Sequence, residues 1–382
     1  VERATISVIL PNYNHAEYLP TALQAILDQT LPPTEVLVVD DCSPDESCDI
    51  LNDFAGRYSS IKLFRNPQNM GVIYNLNLML ARVSGDYLYT AASDDKVEPE
   101  LFEKSVEILV EYPQAAFCSS ECMEIDEEGE EHGILQTPLV PDRPSYLSPN
   151  EVRGLLQRML EESSSMHWFH GPTVLQRSSV RLPLGPFDPR LHYFCDGFLY
   201  HLMAVMCGCC YLPEVLACWR RAPANYSVVG HLNINRRMEV VKEAKQLMFQ
   251  HGSFFPRDYI CNWEKRHICE ARTFLARRFR DASTEVIRDL ANPVMSPGIL
   301  LKAGLWIWSL FVVCQTAALM FAASLTFRNA RYWQKRVAPS AFSLIRTQMK
   351  RVWWGVCRAI RVTARTLTRF FSGLTDRGGR AR

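Results

Sequence analysis

Glycine is missing where one large class of α/β enzymes needs it. The first strand-like run, Thr5–Leu10, is followed by Pro11-Asn12-Tyr13-Asn14-His15. A dinucleotide-dependent oxidoreductase on a Rossmann sheet needs a Gly-rich turn there, so that its backbone can approach a pyrophosphate, and that class is set aside. Cysteine is present at 13 residues, but pairing order is lacking: the count is odd and the spacing irregular. The one dense cluster, Cys207, Cys209 and Cys210, has neither ribbon nor finger spacing for a tetrahedral zinc site. Small buried thiols in a reducing compartment are the favoured reading. No internal repeat and no low-complexity segment is present. A secretory opening is also lacking, because Val1–Leu10 is strand-like rather than a charged stretch before a long apolar core. The expectation is a cytosolic body.

Acidic residues are nearly absent from the last part of the chain. Of 42 Lys and Arg in 382 residues, 14 lie between Arg328 and Arg382, against one acid there, Asp376. That leaves 28 basic and 40 acidic residues before Arg328, so a net charge of +1 hides a body of −12 and a tail of +13. Such a split points to an ordinary body with a basic appendage for an anionic surface.

Apolar patterning fills the body. Thr5–Leu10 and Glu35–Val39 are continuous β-branched runs suited to strands buried on both faces. Between them, Leu19, Leu23, Ile26 and Leu27 carry a helical spacing. The alternation repeats, with helices expected within Pro44–Tyr58, Val72–Val83 and Pro99–Glu111. Strands are expected at Ile61–Phe64, Tyr87–Thr90 and near Ala115–Ser119. Strands alternating with helices predict an α/β fold, a doubly wound and mostly parallel sheet. From Asp126 to Ser165 the chain turns polar and Pro-rich, with a helix at Pro149–Glu161. Strand-like pieces return at Thr173–Leu175 and Tyr211–Trp219, and 232–292 reads as helical.

In open α/β sheets, ligands collect at the carboxyl ends of the strands. Strand one ends in Pro11-Asn12-Tyr13-Asn14, strand two in Asp40-Asp41, and strand four in Ser93-Asp94-Asp95. A carboxylate on strand two suits a ribose or base. A carboxylate pair on another strand end suits a hard divalent ion held against a diphosphate. Each piece alone has a plainer use, since Asp at a strand end often caps a helix or makes a turn. Three of them at one sheet edge point to a ligand site.

Six segments in this order, ISVILPNYNHAEYL, VLVVDDCSPDES, NPQNMGVIYNLN, DYLYTAASDD, GPFDPRLHYFCDGFLYHL and CWRRAPANYS, resemble the family 2 glycosyltransferases of the GT-A fold over roughly residues 4–230. The resemblance implies an inverting transfer from a nucleotide-diphospho-sugar with a divalent cation, Mg²⁺ or Mn²⁺. It places Tyr13 to stack on the nucleobase, Asp41 to bond the base with Pro11 and Asn12 lining that pocket, and Asn69 and Gly71 to close over the nucleoside. Asp94 becomes the ribose- and phosphate-side acid, Asp95 the metal ligand, and Asp196 the general base that takes the acceptor's proton. Asp188 is assigned to a turn or a supporting contact. The sequence departs from the family pattern at three places: Cys195 stands where an acid is usual, Ala222 where His is usual, and Leu76 where Arg is frequent. The second departure leaves Arg220 and Arg221 as candidate phosphate contacts, with surface charge as their plainer use. His167, Trp168 and His170 lie in the region expected to face the acceptor, where aromatic stacking on a sugar and core packing are both open.

The last third predicts membrane association. Gly304–Phe327 is uncharged and long enough, at about 36 Å as a helix, for a bilayer core of about 30 Å. Trp306 and Trp308 suit an interface. On a helical wheel, Ala341–Phe371 gathers Phe342, Ile345, Met349, Val352, Trp353, Val356, Ile360, Leu367 and Phe370 on one face. Arg346, Lys350, Arg351, Arg358, Arg361, Arg365 and Arg369 share another, the pattern of a cationic amphipathic helix on anionic lipid. The apolar face speaks against nucleic acid as the partner. Whether 304–327 spans, re-enters or lies on the membrane stays open, since one full span would carry the basic tail to the far side. The expected domains are 1–230 (a nucleotide-sugar half at 1–125, an acceptor and base half at 126–230), a helical extension at 231–298, a membrane segment at 299–327 and a basic tail at 328–382. The expected partners are the nucleotide-sugar donor, a saccharide or lipid-linked acceptor and an anionic membrane surface. A non-catalytic nucleotide-sugar-binding or scaffold protein on the same fold is the alternative, opposed by the presence of Asp41, Asp95 and Asp196.

Overall fold

The computed structural model describes residues 4–135, 141–162, 169–222 and 225–290. The expected membrane segment and basic tail, and the candidates His167 and Trp168, lie outside them. Strand β1 (Ile6–Asn12) leads through helix α1 (Leu19–Leu27) to β2 (Glu35–Asp40), then α2 (Ser47–Arg57), β3 (Ile61–Arg65), α3 (Val72–Leu80) and β4 (Tyr87–Thr90). The short β5 (Lys96–Val97) and α4 (Leu101–Glu111) precede β6 (Phe117–Ile125), β7 (Glu131–Ile134), β8 (Ser145–Leu147) and α5 (Pro149–Glu162). After β9 (Leu175–Arg177) and the single turn α6 (Ser178–Arg181) come α7 (Cys195–Cys207) and β10 (Cys209–Arg220). Three helices follow: α8 (Tyr226–Leu232), α9 (Ile234–Gln250) and α10 (Arg257–Leu290).

One sheet joins these strands in the order β3-β2-β1-β4-β9-β6-β10-β5, with β7 beside β6 and β8 beside β10. The stretch β3-β2-β1-β4 is parallel, as is the pair β6–β10. Strands β5, β7, β8 and β9 pair antiparallel, which corrects the expectation of a mostly parallel sheet to a mixed one. These four strands have two to four residues each, too few for their own pattern to declare a direction.

Alternation along the central strands builds two cores. Val8, Leu10, Val36 and Val38 meet residues of α1, α2 and α4 on one face. Ile9, Leu37 and Val39 meet α3, α5, α7 and α9 on the other, the period of two that puts successive side chains on opposite faces. Residues up to Phe279 form one compact unit. Val241, Ala244 and Met248 of α9 and Trp263 of α10 are buried in the second core, so the helices expected as an extension complete it.

A buried polar knot fastens the parallel strands at their amino-terminal side. Glu35 is 3% exposed and accepts from Ser7 Oγ at 2.6 Å, Lys62 Nζ at 2.6 Å and the backbone and hydroxyl of Ser84. Burial alone would raise its proton affinity. The bonds from Lys62, Ser7 and Ser84 outweigh burial and bring the carboxyl from 4.5 to about 2. Gly85 lies so close that a Cβ there would stand 2.7 Å from the Ser7 backbone nitrogen.

Candidate active site

The carboxyl ends of β1 and β2 form the first wall. Asn12 is 2% exposed, and its Nδ2 donates to Asp40 Oδ1 at 3.0 Å. A carboxylate only accepts, so the amide's orientation is fixed, and Asn12 Oδ1 is left buried with no hydrogen-bond partner. Asp40 also accepts from the Ser43 backbone, the Ser43 hydroxyl and the Cys48 thiol. Burial opposes its charge, but these donors prevail and the carboxyl lies below its ordinary value.

Asp41 is equally committed. Its Oδ1 accepts from Asn66 Nδ2 and Met70 N, and its Oδ2 from Gly71 N, all at 2.8 Å. The carboxylate thereby pins residues 66–71, and among the described residues only Oδ2 keeps an acceptor position. Gly71 has φ +88°, a backbone state that favours glycine, and it leads directly into α3. Asn69 is exposed, while Pro11 sits in register with Val39. Tyr13 is 45% exposed beyond the end of β1, an unburied ring available for stacking. Leu76 faces the core from α3, 6% exposed, and carries no polar function there.

Beyond β4, Ser93, Asp94 and Asp95 are all buried. Burial raises the proton affinity of both acids. The charge of Asp94 pushes Asp95 further up, while His15 and Arg220 draw Asp94 back. Asp95 Oδ1 accepts from the Arg220 backbone N–H at 2.8 Å, and His15 Nδ1 lies 2.7 Å from Ser93 Oγ. Arg220 is 7% exposed, and its Nε donates to the Asp94 carbonyl at 2.8 Å. Its Nη1 donates to the carbonyls of Asp126 and Glu127, and the guanidinium lies 4.5 Å over the Tyr18 ring. Through Nε and Nη1, bound to three carbonyls, the guanidinium braces the end of β10 against the acid pair. Arg221 points outward, 62% exposed, in an ion pair with Glu124 at 3.1 Å. Ala222 is buried at 4% exposure and offers no donor.

Asp196 occupies the first turn of α7, where the helix end favours negative charge. The Gly197 N–H donates to its Oδ1 at 2.7 Å. Burial pushes its proton affinity up, and the Gly197 N–H only partly offsets this. Cys195, in the place of the usual acid, is buried, and burial drives its thiol well above the ordinary value. Asp188 accepts from the Arg190 backbone at 2.9 Å and pairs with the Arg190 guanidinium at 2.6 Å, a turn-forming role as expected.

Several participants carry no signal in the sequence alone. Gly171 abuts Asp196: a Cβ on it would stand 3.3 Å from Asp196 Oδ2. The hydroxyl of buried Tyr89, on β4, donates to the Pro172 carbonyl at 2.7 Å. The His170 carbonyl accepts from the backbone and hydroxyl of Thr173, and that hydroxyl lies 2.8 Å from Ser119 Oγ. The Gly-Pro dipeptide at 171–172 was the available hint. Asn66, Tyr18 and Asn225, whose Nδ2 donates to the Arg220 carbonyl at 2.6 Å, were likewise unmarked.

Among the described residues no group of three or more His, Cys, Asp and Glu is placed to hold a metal. Asp94 and Asp95 form instead a pair of buried acids in which Asp95 Oδ2 accepts no bond from the described residues. Such a donor set fits a hard divalent ion whose other ligands are substrate and water oxygens. A separate groove of about 910 Å³ between α1, α2 and β5 contains none of these residues.

Residues 7–171 match the model of "Glycosyl transferase family 2", so Asp196 and Arg220 lie beyond the matched segment. TuaG of Bacillus subtilis, assigned by its name to teichuronic acid biosynthesis, is 35% identical over 106 residues, 28% of this chain and 42% of that protein. Across three curated relatives the chain spans 42–66% of their own length. Among solved structures, S. aureus TarS 1-349 with UDP-GlcNAc superposes with a TM-score of 0.55 at 18% identity, covering 70% of this chain and 74% of that one. The mannosyltransferase PcManGT from Pyrobaculum calidifontis, with GDP-Man and Mn²⁺, gives 0.51 at 18% identity, covering 84% and 85%. These two likenesses establish the fold, an α/β, GT-A-like mixed sheet.

Proposed function

The chain carries a glycosyl transferase family 2 domain over residues 7–171, and from that premise we propose that it transfers a sugar from a nucleotide-diphospho-sugar to an acceptor hydroxyl with inversion at the anomeric carbon. The observation that carries this reading is the buried Asp94–Asp95 pair at the carboxyl end of β4, braced from β10 by Arg220. Tyr13, Pro11, Asn12 and the loop holding Asn69 and Gly71 form the nucleoside side, with Asp41 acting mainly through that loop. Asp95, with Asp94 beside it, would hold Mg²⁺ or Mn²⁺, which when bound neutralises charge on the departing diphosphate.

Asp196 is the general base in this reading. Its raised proton affinity brings it toward the pH of the reaction and makes it a better acceptor of the hydroxyl proton. As the acceptor oxygen bonds to the anomeric carbon, the bond to the diphosphate breaks with its electron pair and the proton passes to Asp196. A Glu or Asp at position 195 would add charge beside the base; Cys195 leaves Asp196 without that neighbour.

Thermal denaturation with UDP, GDP, UDP-GlcNAc and GDP-mannose, each with and without Mn²⁺, tests the donor side, since a ligand at about 100 times its Kd stabilises the fold by about 2.7 kcal/mol. A metal-dependent shift with one nucleotide class supports transfer. Binding of a nucleotide sugar that is never turned over favours the non-catalytic alternative.

The acceptor is proposed to be a saccharide or lipid-linked chain in polysaccharide or glycolipid synthesis at a cytoplasmic membrane surface. Among the described residues no helix is long and apolar enough to cross a membrane. The proposal rests on the sequence of 304–327 and of the basic tail. Replacing Arg358, Arg361, Arg365 and Arg369 with Gln in the full chain should weaken sedimentation with anionic vesicles and leave neutral vesicles unaffected, at about 1 kcal/mol per cation. Equal binding to both vesicle types would remove the electrostatic part.

A further inference from the structure

We infer that Gly171 forms the floor of the acceptor-hydroxyl subsite, and that Asp196 Oδ2 is the oxygen that receives the proton. This rests on the reading of Asp196 as the base. The two oxygens of that carboxylate differ. Oδ1 is held by the Gly197 N–H at 2.7 Å. Oδ2 faces Gly171: among the described residues, with the neighbours His170 and Pro172 set aside, it is the one heavy atom within 4 Å of where a Gly171 Cβ would stand. A side chain at 171 would therefore border Oδ2, the oxygen of the base that the Gly197 N–H does not hold.

Gly171 has no backbone need to be glycine. Its φ is not in the left-handed region, in contrast to Gly71 and Gly185. The turn is also built not to yield. Tyr89, 1% exposed, ties the Pro172 carbonyl to β4. Thr173, fully buried, bonds Ser119 on β6 and closes on the His170 carbonyl. A methyl group at 171 would stand 3.3 Å from Oδ2, tighter than ordinary contact, and the turn cannot easily retreat to relieve it. The cost falls on whatever shares that space. Water is smaller than a sugar carbinol, so the notch should separate the two as acceptors. In transfer, the acceptor oxygen bonds to the anomeric carbon, its proton goes to Oδ2, and the diphosphate leaves with the electron pair. In hydrolysis, water takes the same place and the same atoms balance.

The test is a partition ratio in the full chain. UDP-GlcNAc and GDP-mannose with Mn²⁺ are incubated with and without glycerol, and glyceryl glycoside is measured against free sugar. Gly171→Ala should lower the glycoside-to-hydrolysis ratio by about tenfold, the lower end of what one extra methylene costs in a shaped pocket. Gly171→Val should lower it further. A general loss of folding lowers both products together and leaves the ratio where it was, so an unchanged ratio overturns the subsite even if activity falls. Asp196→Asn separates the two layers of the argument. If it removes both products while Gly171→Ala leaves the ratio intact, the base stands and the subsite fails. If Asp196→Asn keeps wild-type turnover, or if the wild type turns over neither donor, the reading beneath falls and the subsite with it.

Discussion

The carboxyl end of β2, on one side, and the segment after β4 together with the start of α7, on the other, hold their carboxylates in opposite ways. Asp40 receives bonds from Ser43, Asn12 and Cys48, and Asp41 receives three from residues 66–71. Across the site, Asp95 accepts one backbone N–H from Arg220, and Asp196 one from Gly197. Acids so fully engaged are framework, because most of their lone pairs are spent on the protein's own donors. Acids that are desolvated but under-supplied with donors, as Asp95 and the half-buried Asp196 are, have raised proton affinities and spare acceptor positions. Chemistry can use only the second kind. The Asp40-Asp41 pair that stands out in the sequence is thus mainly a means of shaping the nucleoside side.

The contrast can be broken most directly at Asp196. Asp196→Asn should lower turnover by about two orders of magnitude or more, the scale of general-base catalysis, while UDP or GDP binding is unchanged. Stopped assays paired with calorimetric titration check it; equal losses in both would assign Asp196 to the framework. Next in size is the knot at Glu35. Its folded pKa of about 2 lies below 4.5, so its contribution is complete above pH 4.5 and is lost as pH falls through about 2. That contribution is about 3 kcal/mol. Glu35→Gln should therefore destabilise the protein at pH 7 and flatten the acid limb of a urea-denaturation series. A variant with the wild-type acid limb would show that the knot is not stabilising. Smaller still, Asp41→Asn sets an amide N–H₂ against an N–H donor of the 66–71 loop and should cost about 1–3 kcal/mol, with faster amide exchange at Met70 and Gly71. If instead nucleotide affinity collapses while those amides stay protected, Asp41 contacts the base directly after all.

Much of the donor half was legible in the sequence because long apolar runs declare themselves. Thr5–Leu10, Glu35–Val39, Ile61–Phe64 and Tyr87–Thr90 are strands within a residue or two of the expected places, and Asn12, Asp41 and the Asp94–Asp95 pair stand at or beyond the carboxyl ends of the first, second and fourth. Strand direction was not legible for β5, β7, β8 and β9, where pairing is decided by distant neighbours and not by local pattern. The bracing by Arg220 was not legible for a physical reason: sequence shows a cation near a motif, but not the carbonyls of Asp94, Asp126 and Glu127 that its Nε and Nη1 meet. Gly171 lacked any periodic signal, because its contribution is the absence of a side chain at one point in space. Asp196 alone reads as a helix cap; the resemblance singled it out, and its raised proton affinity adds a physical ground.

The central claim is that under-supplied Asp95 binds the donor's cation-diphosphate end while Asp196 acts only in the chemical step. Calorimetric titration of UDP and of GDP, with and without Mn²⁺, into the wild type, Asp95→Asn and Asp196→Asn tests it. The account requires Mn²⁺-dependent affinity in the wild type and in Asp196→Asn, and its loss in Asp95→Asn. Undiminished Mn²⁺-dependent binding by Asp95→Asn would contradict it.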